Sequence, residues 1–579
     1  MENSDQPVRR KGGLKTMPFV IANEAFEKIA SYGLHPNMIL YLTTVYHFGV
    51  ASGTSTLFIW GAISNFMPIL GAFLSDSYFG RFLVISVATT ISLMGLVLLW
   101  LTSIIQESRS PSCARHSRNC VEPKPSQIAL LFTAFALMSI GTGGIRPCSI
   151  AFGADQFDNP TNPKNQRILQ SFFNWYYASV GISLMIAVTV VVYIQTEYGW
   201  IIGFGLPVGL MFVSAIMFFL GSKLYVKVKP NKSLLTGMVQ VLVASWKNRH
   251  IGLEPDRQRF HYEKGSKLVA PTDELRFLNK ACIIRNSEKD LNPDGSSSNP
   301  WTLCSVLQVE VLKALIKLIP MWSTGIMIGV TISQHSFPVL QANTLNRGLS
   351  SNFKIPPASF GLFGILTLTI WVAVYDRIVV PRLSKHPTNL RGIPVKTRIG
   401  IGLFISCLAT ATAALVERTR RVNMSAMWLI PQHCLAGLAE AFNAIGQIEL
   451  YYSQFPKSMA SIAVALFALG MAIANLCGSL IVNIVDSVSK RGGKESWVSS
   501  NLNKGHYDYY YWILTCLSVV NLFYFVLCSR GYKCCEQEKV WDEGIGDEEE
   551  KTRGVVSGEA AMVDMTNSKD SSTPVYFSA

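Results

Sequence analysis

Twelve apolar stretches, each about 20 residues long and so able to cross a bilayer as a helix, recur along these 579 residues. They fall at 17–45, 55–75, 82–105, 127–149, 171–194, 200–221, 311–334, 356–380, 398–417, 425–451, 459–484 and 509–528. Lipid offers the backbone no hydrogen-bond partners, and a helix satisfies its own within one segment. The expected fold class is therefore an all-α membrane protein with twelve transmembrane helices. Hydrophobic residues make up 49% of the chain and charged ones 15%, in keeping with that class.

Six spans, a polar stretch and six more spans make a two-halves plan. The expected divisions are an N-terminal tail with spans 1–6 (1–222), a linker loop (223–308), spans 7–12 (309–528) and a tail (529–579). The basic run Arg9, Arg10, Lys11 and Lys15 predicts a cytoplasmic N-terminus. An even number of spans returns the C-terminus to that side. The linker carries Lys223, Lys227, Lys229, Lys232, Lys247, Arg249, Arg257 and Arg259, so it belongs there too. The net charge of +14 thus reads as membrane orientation; with no soluble basic domain, no nucleic-acid partner is expected. No cleavable signal peptide is apparent in the polar, basic start, and the plasma membrane is the default location.

Within the linker, 234–246 reads as an amphipathic surface helix and 285–300 as a flexible linker rich in Ser, Asn, Gly and Pro. The tail, with its acidic run Asp547–Glu550, reads as disordered. Cys113 and Cys120 share the loop between spans 3 and 4 and are a candidate disulfide. Asn423-Met-Ser425 is a candidate outward-facing glycosylation site. Cys534 and Cys535 are candidates for palmitoylation. No metal-ligand spacing, nucleophile–base pair or nucleotide loop appears, so neither an enzyme nor a metal or other cofactor is expected.

Four charges sit where lipid should be. A charge near the bilayer centre costs roughly 2.5–3.5 kcal/mol on insertion scales, so such groups mark a polar path. Glu24, Glu27 and Lys28 lie in span 1 at i, i+3, i+4 and share one helix face. Arg146 lies in span 4. Two acids and a base on one face, with a second base on another helix, suggest a proton-coupled transport site.

The turn after span 2 reads Gly71-Ala-Phe-Leu-Ser-Asp76-Ser-Tyr-Phe-Gly80-Arg81. It resembles the cytoplasmic gating motif of the major facilitator superfamily: Asp76 would hold a helix terminus, Gly80 would allow the turn, and Arg81 would pair across the halves. Glu24-Ala-Phe-Glu27-Lys28 with Tyr32-Gly33 resembles the ExxE(R/K) motif of the proton-dependent oligopeptide and nitrate transporter family. Gly141-Thr-Gly-Gly-Ile-Arg146-Pro-Cys and Phe172-Phe-Asn-Trp-Tyr-Tyr177 resemble its fourth- and fifth-helix signatures. Trp301 to Glu310, Pro320-Met-Trp322, Tyr375-Asp-Arg377 and Leu502-Asn-Lys-Gly505 fit its plant branch. The match runs from about residue 12 to 530.

The resemblance implies the major facilitator fold of two six-helix halves and transport by alternating access. Glu24, Glu27 and Lys28 would couple protons; Lys28, Tyr32, Arg146, Trp322 and Glu440 would bind substrate. Lys28 and Arg146 would hold the ionised carboxylates until a proton neutralises one and frees a base for an anion. Phe337 and Gln447 are further candidate liners. In peptide-carrying relatives the acid equivalent to Glu440 meets a substrate amine; here it either gates the pocket or is structural.

Four departures bear on substrate. Arg146 stands where many relatives have Lys, and its planar fork suits nitrate or carboxylate. Ile332 stands where some nitrate carriers have His, with His335 three residues on. Val84 replaces a phosphorylatable Thr. Span 5 reads Ala-Ser-Val-Gly-Ile-Ser (178–183) in place of an Asn and Gly pair, which counts against peptides. The expected partners are protons, a small anion and the bilayer. Low-affinity nitrate leads; plant-hormone organic acids (abscisic acid, gibberellin, a jasmonate conjugate) and di- or tripeptides follow. A membrane nitrate sensor is the rival of another class.

Overall fold

Every one of the twelve apolar stretches carries helix in the computed structural model. The structure describes residues 12–110, 123–157, 165–228, 234–252, 260–262, 270–350, 353–383, 392–420, 424–455 and 461–532. Cys113, Cys120, Asn423, Cys534, Cys535 and the tail lie outside the described residues.

Among the described residues, nine helices are long and apolar enough to cross a membrane, and a bent pair, Val306–Ser323 with Gly325–Thr344, makes a tenth. The two remaining stretches, Met17–Leu34 in span 1 and Ile430–Gln454 in span 10, are helical but more polar. They carry Glu24, Glu27 and Lys28, and Gln432, His433, Glu440, Asn443 and Gln447. The two least lipid-like helices thus both carry ionisable groups within a span, as expected of helices that line a polar path; Arg146 of span 4 and Arg398 and Glu417 of span 9 are set in more apolar helices.

Several spans are not the straight rods that apolar length suggests. Span 1 breaks after Leu34 and resumes at Met38–Thr44. Span 7 bends by 50° after Ser323. Spans 2 and 8, the second of each half, both end in a five-residue π-turn, Ser75–Phe79 and Tyr375–Val379.

The chain divides into two compact units. The first holds Met1–Asn231, Thr324–Gln447 and Ala465–Phe525. Its largest core cluster joins Leu34, Tyr41, Tyr46 and Phe58 with Phe337, Val482, Tyr510 and Tyr511, so the two halves share one core at the end where span 1 turns into span 2. Polar contacts reinforce that junction. Ser55 Oγ and Ser479 Oγ lie 2.7 Å apart, Asn483 donates to Ser55 at 2.9 Å, and Ser359 Oγ donates to the Val188 carbonyl at 3.0 Å.

The second unit holds Lys232–Ser323, Ile448–Val464 and Val526–Ala579. The helix Leu234–Lys247 packs Val241 and Ala244 into a cluster with Leu278, Ala281, Cys282, Cys304, Val309 and Leu312. Segment 285–300, expected as a flexible linker, is a hydrogen-bonded turn instead. Asp290 accepts the amides of Arg285 and Asn286 at 2.9 Å each, Asn286 caps Ser287–Asp290, and Leu291 bridges Ser297. Asn, Asp and Ser bond neighbouring backbone in turns as readily as they mark loops, so composition alone misread the stretch.

Candidate functional site

Span 1 writes the site along one face. Glu24, Lys28, Ser31, Tyr32 and His35 follow one another at helical spacing. Glu24 and Glu27 are 1% and 0% exposed, and Lys28 is buried beside them. Lys28 Nζ lies 3.3 Å from Glu24 Oε1 and 3.7 Å from Glu27 Oε2. Ser31 Oγ donates to Glu27 Oε1 at 2.6 Å. The triad is under-bonded all the same: the Tyr176 hydroxyl lies near Glu24, but both Glu24 oxygens and Glu27 Oε2 are buried without a close hydrogen bond among the described residues. Two carboxylates facing one ammonium carry a surplus negative charge, and one added proton makes the triad neutral.

Arg146 is placed differently from expectation. Among the described residues no carboxylate lies within ion-pair distance of it. Its guanidinium sits 5.1 Å from the centroid of the Tyr32 ring, over which Lys28 Nζ also lies at 5.7 Å. Its Nε is buried without a hydrogen bond. Lys28 is thus the cation within ion-pair distance of the acids, Arg146 feels them only from farther off, and the Tyr32 ring lies against both cations. Arg146 is followed by Pro147 inside the span 4 helix Pro125–Phe157. Pro has no N–H for the Gly143 carbonyl one turn back, and Gly71 of span 2 comes so close to that carbonyl that a Cβ would not fit.

Gly71 thus packs spans 2 and 4 together, and Gly80, at φ 74°, makes the turn into span 3. Arg81, expected to pair across the halves, is held inside the N-terminal half. It grips Asp155 of span 4 through two bonds of 2.8 and 2.7 Å and lies 3.8 Å from Asp76.

On the C-terminal half, Glu440 of span 10 is half-buried, and among the described residues no cation pairs with it. Trp322 falls at the break of span 7, in the second unit, half-buried. Phe337, a candidate liner, is core: it is fully buried against Tyr507, Tyr510 and Tyr511. Gln447 is buried, bonded to Asn443 and set against Gly325.

Sequence reasoning missed a polar wall one turn beyond Tyr32. The His35 ring lies 5.0 Å from Trp60 and 6.0 Å from His335, and Trp60 stacks on Phe135 at 4.5 Å. His433 of span 10 is close enough to act on the charge of His335. His35 Nδ1, Trp60 Nε1 and His433 Nε2 are all buried without hydrogen bonds, while His335 is open to water. The signal for His35 was available: it continues the Glu24–Lys28–Tyr32 stripe. His433 and Trp60 come from other spans, and only tertiary packing brings them in. Arg146 and the indole N–H offer hydrogen-bond donors, and each neutral imidazole adds one donor and one acceptor, so the wall is polar and suited to a ligand with several acceptors.

Comparison with known proteins bears on the fold and the family. The POT family description (PTR2) matches residues 82–498. Protein NRT1/PTR FAMILY 1.2 of Arabidopsis thaliana is 53% identical over 547 residues, covering 90% of each chain. Protein NRT1/PTR FAMILY 1.1 of the same plant is 54% identical over 556 residues, covering 92% of this chain and 94% of that one. Among solved structures, an auto-inhibited POT family peptide transporter superposes with a TM-score of 0.67 at 19% identity, covering 90% of this chain and 97% of that one. The POT family transporter PepTSo gives 0.66 at 17%, covering 90% and 98%. The fold and family are those of transporters, and the chain is a multi-pass membrane protein belonging to the POT family, among its NRT1/PTR members.

Proposed function

We propose that the protein is a proton-coupled symporter that moves a small anion across the membrane by alternating access, with nitrate as the first-choice substrate. The observation that carries this is the pairing of a protonatable, under-bonded triad with an Arg146 that no carboxylate occupies. A proton reaching Glu24 or Glu27 leaves Lys28 with one anionic partner. An anion on Arg146 then adds the charge the proton removed. The pocket's net charge is unchanged, so desolvation costs least when both enter together. The carriers change place when the loaded, neutral site lets the halves rock about it.

The termini and the linker face the cytoplasm in this reading, by the positive-inside pattern, and the plasma membrane is the working location. The polar wall of Trp60, His35, His335 and His433 supports a second reading: an organic acid with acceptors beyond its carboxylate, larger than nitrate. Di- and tripeptides need an acid for their amine, and Glu440 is the group that would serve. A pure sensor has no use for a protonatable triad.

Voltage clamp of oocytes expressing the chain, with nitrate applied at acidic and then neutral external pH, tests the reading. An inward current that shrinks at neutral pH establishes symport with more than one proton per anion. Labelled nitrate uptake on the same cells detects electroneutral 1:1 cotransport. If both fail with protein at the surface, nitrate is out and the organic acids take its place.

A further inference from the structure

The helix Leu234–Lys247 of the linker is apolar on two faces, and the protein covers one of them. Val241 and Ala244 are buried against Val309 and Leu312 at the start of span 7. On the opposite side, Val239, Leu242 and Trp246 are 49%, 50% and 69% exposed. Their i, i+3, i+7 spacing sets them in one stripe. Phe277, 54% exposed, lies next to it, because Ser245 Oγ on this helix donates to the Phe277 carbonyl at 2.7 Å.

Cations border the stripe. The Arg249 guanidinium lies 4.8 Å from the centroid of the Trp246 ring, and Lys247 is exposed beside it. Arg276 is also exposed, though Asp273 pairs with it at 2.7 Å. Residues 198–253 contain six Lys and Arg and no Asp or Glu. The tethers are short and end at the bilayer. Span 6 ends at Leu220, fourteen positions before this helix begins, and the covered face rests on the helix that opens span 7.

We propose that the open face of Leu234–Lys247 docks on an anionic phospholipid leaflet. Leu242 and Trp246 enter the headgroup boundary, where indole rings are favoured, and Lys247 and Arg249 meet the lipid phosphates and carboxylates. An acidic protein would match the cations, but lipid also matches the aromatic stripe and the tethers. The proposal rests on the linker's cytoplasmic placement for its setting in the cell and is independent of the substrate.

The test uses the full chain in nanodiscs of phosphatidylcholine alone or mixed with phosphatidylserine, where both leaflets are equally accessible. Amide exchange is followed across 234–250. The expected result is exchange at least about tenfold slower in the anionic discs, lost at high salt and lost in Leu242→Glu/Trp246→Glu. Equal exchange in both discs overturns the proposal, as does slow exchange in both that the double substitution leaves alone, which would mean the chain covers this face itself. Should that variant misfold, brominated phosphatidylserine replaces it: wild type should show quenching that Trp246→Phe lacks, and identical quenching overturns the proposal. Nitrate transport is untouched by either outcome, so the two readings fail separately.

Discussion

Two buried clusters of glutamate and lysine stand in this protein, built to opposite specifications. In the linker unit, Lys313 is fully buried and spends its protons on the Thr272 carbonyl, Thr272 Oγ1 and Glu310 Oε1, at 2.8, 3.1 and 2.7 Å. Glu310 in turn accepts the Thr272 amide and hydroxyl at 3.0 and 2.9 Å. In span 1, one lysine faces two acids, and three of the four carboxylate oxygens have no close hydrogen bond among the described residues. A saturated cluster holds its protons and its geometry and ties the linker to span 7. A starved one has room for another proton and reason to rearrange when it arrives. Hydrogen-bond saturation, more than burial or charge, separates the linker pair from the span 1 triad to which proton coupling is assigned in the proposed function.

That contrast is breakable. Glu24→Gln or Glu27→Gln should reduce acid-stimulated uptake to background while the protein stays folded and at the surface; surface labelling with labelled uptake decides, and normal uptake in both variants ends the coupling role. Lys313→Ala should do the reverse. Emptying the fully buried Lys313 site and stripping Glu310 of its cation, while Thr272 still donates to it, should lower the unfolding temperature in detergent with uptake per folded molecule retained. Lost uptake in a stably folded Lys313→Ala would dissolve the comparison.

Arg146→Lys sharpens it by keeping charge and removing the planar fork. We expect apparent anion affinity to weaken about tenfold with coupling intact; an unchanged affinity removes Arg146 from the substrate contact. The smallest effect concerns Cys282 and Cys304 of the linker core. Burial pushes both thiols up to about 12, so near pH 8 roughly one in ten thousand is thiolate. Neither should react with iodoacetamide until the linker unfolds, and ready labelling would show that this unit is not the tightly packed body its hydrogen bonds describe.

The helices and the acidic face of span 1 were legible in the sequence because they depend on local period alone: apolar length, and i, i+3, i+4 spacing. Partner choice was not. Arg146 and Arg81 are charges at the ends of long side chains, and each had several acids within plausible reach. Tertiary packing set Arg146 over Tyr32 in one case and Arg81 on Asp155 of the same half in the other. Phe337 reads as a pocket aromatic until the tyrosines of span 12 close around it. The rest of the wall escaped for the same reason: His35 continues the span 1 stripe, but Trp60, His335 and His433 come from three other segments, and no spacing rule links them to it.

The seat of Arg146 over an aromatic ring has a kinetic consequence. A cation resting on a π-face gives up about 0.5–2 kcal/mol when it leaves, against about 3–5 kcal/mol for breaking a buried ion pair. An anion arriving at this guanidinium displaces a ring and no rival anion. The difference, about 1–4 kcal/mol, is worth roughly one to three powers of ten in occupancy. Under the proposed function, the empty carrier would wait with Arg146 parked on an easily vacated rest, and anion loading would meet little opposition from it.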